Sequence, residues 1–95
     1  MANAVRRRKL AFRASRRGIR ELDLLMMAFI GTHLESFAEA ELDQFEAILD
    51  IPDPELYDWL AGRAQPPPER RSRVLDLLLG FRYSAVARGG TDPGL

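Results

Sequence analysis

The stretch Arg17-Gly18-Ile19-Arg20-Glu21-Leu22-Asp23-Leu24-Leu25-Met26-Met27-Ala28-Phe29-Ile30-Gly31-Thr32-His33 decides the fold. Its apolar positions Leu22, Leu25, Met26 and Phe29 recur at intervals of three and four, the spacing of one helix face, and Leu24, Met27 and Ala28 widen that face. This predicts a helix from Ile19 to His33 as the central and most buried element. Its charges, Arg20, Glu21 and Asp23, sit in the first turn and a half, where the acids suit the positive end of the helix dipole. Gly18 stands at the entrance. Without a Cβ, glycine supplies the left-handed backbone that often ends a preceding helix.

Outward from this centre the remaining pattern is helical too. A short helix is predicted from about Arg7 to Arg16, with residues 1–6 as a flexible start. Ser36-Phe37-Ala38-Glu39 has the spacing of a capping box, which starts a third helix near Phe37 that stops by Ile51, ahead of Pro52. Asp53 reads as an N-cap and Pro54 as the first residue of a fourth helix, ended by Gly62. Pro66-Pro67-Pro68 is an extended connector, and Glu69 opens a fifth helix carrying Val74, Leu77, Leu78 and Phe81 on one face. Residues 85–95 are expected to be a disordered tail. No segment shows strand alternation. The expectation is therefore an all-α, compact single domain of about five short helices over residues 7–84.

The chain has 95 residues, 46% of them hydrophobic, which suffices for one core. No apolar run approaches the roughly 18 residues of a membrane span. A soluble, monomeric protein of the cytoplasm, or of the mitochondrial matrix in a eukaryote, is expected. Cysteine is absent, so disulfides and thiolate zinc sites are excluded. The zero net charge conceals an asymmetry: residues 1–20 carry eight Lys or Arg and no acid, and residues 21–62 carry eleven Asp or Glu and no Lys or Arg. The basic, acid-free start is also how a transit peptide is composed.

Chemistry is sparse. His33 is the only histidine and cannot form a multi-His metal site. The serines lack a neighbouring base, the acids lack the ligand alternation of a calcium loop, and Gly89-Gly90 belongs to no phosphate-binding pattern. Nothing argues for an enzyme. The basic N-terminal segment, with Arg70, Arg71 and Arg73, leaves open a small helical nucleic-acid-binding protein, although the acidic body would repel phosphate. Arg17-Gly18-Ile19-Arg20-Glu21 has two readings. It is a structural turn, or it is a docking patch that holds an Arg and a Glu on the surface, with Arg16 and Arg20 adding long-range steering.

These residues resemble a known family, the small flavinylation and assembly factors of succinate dehydrogenase called SdhE in bacteria. The family signature RGxxE is matched by Arg17, Gly18 and Glu21, preceded by Arg16 and followed by Leu22-Asp23. The likeness continues through Leu42-Asp43-Gln44-Phe45-Glu46 and from Leu49-Asp50-Ile51-Pro52 to Asp58-Trp59-Leu60. It departs at Ala28, where a Pro is frequent, and at Ala38, where a Ser often caps the third helix. The resemblance implies a five-helix protein that is not itself an enzyme. It would bind the flavoprotein subunit of succinate dehydrogenase, and sometimes of fumarate reductase, and promote covalent attachment of FAD there. It implies no stably bound cofactor in this chain and partner binding through Arg16, Arg17, Gly18, Arg20 and Glu21.

Overall fold

The computed structural model describes residues 3–89, and the side chains of residues 3–81. Its elements are α1 (Asn3–Ala14), α2 (Arg20–His33), a 3-10 turn (Leu34–Ser36), α3 (Glu39–Leu49), α4 (Asp53–Leu60), a second 3-10 turn (Pro68–Arg70) and α5 (Arg73–Gly89). No strand occurs among the described residues, so the all-α class holds. Helix α3 packs on both α1 and α5, α2 packs on the same two helices, and α4 lies against α5.

The core follows the three-and-four spacing. Leu22, Met26 and Phe29 of α2 meet Leu42 and Phe45 of α3 and Val74, Leu75 and Leu78 of α5, all fully buried. Each such side chain contributes about 1.5–3 kcal/mol by leaving water. Phe29 is the hub: its ring lies 6.0 Å from Phe45, 5.5 Å from Phe81 and 4.9 Å from the imidazole of His33. His33 also stacks on Phe37 at 6.2 Å, so it extends the aromatic cluster to the rim of the core. Trp59 is buried with Leu56 and Leu60, as its helical spacing predicts.

Helix α2 is less enclosed than its composition suggests. Leu24 is 57% and Met27 54% exposed, because the core takes only the stripe through Leu22, Met26 and Phe29. The widened face is not a buried face.

Several boundaries also move. Helix α1 begins at Asn3, because Arg6 is anchored: its Nη2 lies 2.6 Å from Asp43 Oδ1 and 2.8 Å from Glu46 Oε1. Residues 3–6 are thus helical; Met1 and Ala2 lie outside the described residues. Helix α3 starts at Glu39 with Ala38 as N-cap, and Glu41 Oε1 accepts the Ala38 amide at 2.8 Å. Ser36 does not cap it. Its hydroxyl donates to the His33 carbonyl at 2.8 Å within the 3-10 turn. Helix α4 starts at Asp53 rather than Pro54, since the Asp53 carboxylate is engaged elsewhere and makes no cap bond.

Pro68–Arg70 forms a 3-10 turn, and α5 begins only at Arg73. There the Ser72 hydroxyl accepts the Leu75 amide at 3.1 Å and Gln44 Oε1 accepts the Val74 amide at 3.1 Å. Helix α5 continues to Gly89, so residues 85–89 are helical, and residues 90–95 of the expected tail lie outside the described residues.

Candidate functional site

The site is built on the turn between α1 and α2. Helix α1 closes with the Ser15 amide on the Ala11 carbonyl at 3.1 Å and the Arg16 amide on the Arg13 carbonyl at 3.2 Å. Gly18 then takes φ +100°, which L side chains rarely adopt. It lies in the linking turn, not at the immediate helix end. Apart from its own chain neighbours, no heavy atom lies within 4 Å of where a Cβ would stand, so the space over this glycine is open. Ile19 follows in extended conformation as the N-cap of α2 and packs its side chain on the core.

Arg17 is turned inward. Its guanidinium is only 6% exposed and sits against the junction of α3 and α4. Nε donates to Asp53 Oδ1 at 2.7 Å, Nη1 to the Leu49 carbonyl at 2.9 Å, and Nη2 to the Ile51 carbonyl. The chain needs these bonds, since Leu49 ends α3 and its carbonyl has no partner within the helix. A cation at that end also suits the helix dipole, as the Asp53 carboxylate suits the start of α4. The Arg17 amide in turn donates to Asp23 Oδ1 at 2.9 Å, which fastens the turn to α2. The expectation that Arg17 is held on the surface is thereby corrected: its planar fork serves two carbonyls and a carboxylate at once.

The other four residues of the expected patch do face water. Gly18, Arg20 and Glu21 are exposed, and Arg16 is exposed with its guanidinium 4.4 Å from the centre of the Phe12 ring. Among the described residues Glu21 has no side-chain partner. One turn along α2, at the helical interval from Arg20 and Glu21, stands exposed Leu24, and Met27 follows it. A cleft beside the turn is lined by Phe12, Arg13 and Arg16 on one side and by Leu49, Asp50 and Pro52 on the other.

Asp53, Asp23 and the outward Leu24 and Met27 were not legible as site residues. Asp53 lies between two prolines, which marks a helix cap. Leu24 and Met27 read as core because they are apolar, although their phase with Glu21 and Gly31 places them on the outer side. Much of the charge asymmetry is settled internally. Arg6 pairs with Asp43 and Glu46, Arg13 with Asp50 at 2.8 Å, Arg17 with Asp53, and Arg73 with Glu41 at 2.8 Å. No group of three His, Asp or Glu that could hold a metal ion occurs among the described residues.

The comparisons with known proteins converge on one family. The family model Sdh5, described as flavinator of succinate dehydrogenase, matches residues 8–82. The FAD assembly factor SdhE of Acetobacter pasteurianus is 41% identical over 87 residues, which cover 92% of this chain and 78% of that protein. The mitochondrial succinate dehydrogenase assembly factor 2 of Dictyostelium discoideum is 32% identical over 76% of this chain and 51% of its own length. The FAD assembly factor SdhE of Legionella pneumophila is 43% identical over 54 residues, 57% of this chain. The chain spans about half the length of the mitochondrial relative. No solved structure matches the chain. The family match runs from α1 into α5 and includes the whole turn from Arg17 to Glu21, and on that ground this chain belongs to the Sdh5 family, the flavinators of succinate dehydrogenase.

Proposed function

We propose that this chain is an assembly factor that binds the flavoprotein subunit of succinate dehydrogenase and promotes covalent attachment of FAD to it. The bond-forming chemistry belongs to the flavoprotein and its flavin, and this chain holds no cofactor of its own. It works in the compartment where that subunit folds, the cytoplasm of a bacterium or the mitochondrial matrix. Family membership and the names of its relatives support the role.

One observation carries the docking site: a bare, open glycine backbone stands beside an exposed, unpaired Glu21 and an exposed apolar pair, Leu24 and Met27. A protein partner can approach the Gly18 peptide closely, take a charge-assisted hydrogen bond from its own donors to Glu21, and cover the two apolar side chains. Nucleic acid is disfavoured as partner, because Arg6, Arg13 and Arg17 already meet acids of α3 and α4 and the acidic body stands behind them.

Glu21→Ala tests this directly. Flavin fluorescence of the denatured flavoprotein subunit should fall at least tenfold, and the complex should be lost in co-purification. Melting should move little, since exposed substitutions usually cost within about 0.5 kcal/mol. Normal flavinylation by the folded variant would overturn the docking site. Gly18→Arg is the poorer probe, because φ +100° strains any L side chain and mixes stability with binding.

A further inference from the structure

Arg17 belongs to the five-residue turn, yet its side chain points inward and it is held from two directions. Its amide is bonded to Asp23 of α2, and its guanidinium is bonded to Asp53 of α4 and to the carbonyls of Leu49 and Ile51. The Asp53 side chain is itself only 22% exposed. These contacts tie a residue next to Gly18 to a segment more than thirty positions further along the chain. A backbone that carries a glycine at positive φ has little stiffness of its own. Arg20 and Glu21 open α2, which is seated by its buried Leu22, so what remains to be fixed from outside is where Arg17 and Gly18 stand relative to them.

We propose that Asp53 and Asp23 are positioning residues for partner recognition, acting through Arg17 to set the place of the exposed turn, while Arg17 itself never meets the partner. The proposal rests on the docking reading above. Asp53 fixes the guanidinium, the guanidinium fixes the Arg17 Cα against the α3–α4 junction, and Asp23 fixes the Arg17 amide against α2. Both sets of contacts hold Arg17, the residue before the flexible glycine, and the bond to Asp23 reaches across that glycine to α2. A bidentate-capable guanidinium suits this work better than an ammonium, because its planar fork holds an orientation as well as a distance.

The test measures dissociation constants for the flavoprotein subunit of succinate dehydrogenase, at a temperature where every variant is folded by circular dichroism. Asp53→Ala should weaken binding about tenfold. Asp53→Asn, which retains an acceptor oxygen in the same shape but not the charge, should weaken binding by a smaller step, about threefold, and remains informative if the alanine variant does not fold. Val74→Ala, a core change in α5 far from the turn in sequence, supplies a folded variant of comparable destabilisation and should bind normally. The deciding measurement is the double variant Asp53→Ala with Glu21→Ala. If Asp53 acts by placing the turn, its effect shrinks to less than about threefold once Glu21 is gone, because residues acting through one another are not additive.

Undiminished, additive loss in the double variant would overturn the proposal, as would folded Asp53→Ala or Asp53→Asn binding like the parent when Glu21→Ala alone binds poorly. Normal binding by Glu21→Ala would instead bring down the docking reading, and the positioning role with it.

Discussion

The seam between α1 and α3 and the outer side of α2 use their side chains in opposite ways. Along the seam Arg6 reaches Asp43 and Glu46, and Arg13, seven residues on, reaches Asp50, seven residues beyond Asp43. Equal steps in the same order mean that α1 and α3 run parallel, with charges matched rung by rung, and Arg17 to Asp53 is the last rung. Among the described residues the outer side of α2 carries no ion pair, and it leaves Leu24 and Met27 in water. In this chain many of the charges are engaged internally, while part of the apolar surface is not. A surface that keeps large apolar groups exposed beside an unpaired carboxylate has the composition of an interface core with a polar edge.

The largest effect should come from the buried rung. Arg17→Leu leaves Asp53 and two carbonyls without a donor, and breaking a buried pair from one side costs about 3–5 kcal/mol. Chemical denaturation should show a loss of about 3 kcal/mol, discounted for the partial exposure of Asp53; a loss below about 1 kcal/mol would mean the rung does not differ from a surface pair. Arg13→Gln supplies the contrast. Its guanidinium is 42% exposed and its partner more so, and such pairs are worth less than about 1 kcal/mol. Equal losses at Arg13 and Arg17 would erase the distinction between the rungs.

The smallest effect is one of pH. Glu41, which accepts the Ala38 amide and pairs with Arg73, has its carboxyl held below the ordinary value, first by the backbone hydrogen bond and then by the guanidinium. A depressed carboxylate stabilises the fold above its unfolded value and loses that contribution as pH falls through the folded one. Glu41→Gln should therefore lie below the parent in stability at neutral pH, and the two should converge on acidification below the ordinary Glu range. A difference that widened towards acid would reverse the assignment.

Much of the fold was legible because helical spacing and helix breakers act locally. Leu22, Met26 and Phe29 gave the inner stripe of α2, and Pro52 and Gly62 bracketed α4. What escaped was whatever depended on residues distant in the chain. Asp53 has the local signature of a cap, and only the arrival of Arg17 from the α1–α2 turn gives its carboxylate another use. Ala38 has no capping side chain, which made Ser36 the better local candidate; the reach of Glu41 back to the Ala38 amide decides the matter. Leu24 and Met27 are apolar in a helix whose inner stripe was already full, and counting apolar residues does not reveal which are surplus. The motif from Arg17 to Glu21 was visible as a unit, but its division into an inward anchor and an outward face was not.

Gly18 adds a question of handedness. A φ of +100° is strained for an L-residue, but it is natural ground for a residue of mirror-image configuration. Two alanines of opposite chirality at this position would each add one methyl, on opposite sides of the same peptide, and only the L form would also bend the backbone. Glycine is the one genetically encoded residue that serves both as an achiral hinge and as an absence of bulk, and a chemically made chain could separate those two properties where no substitution within the natural alphabet can.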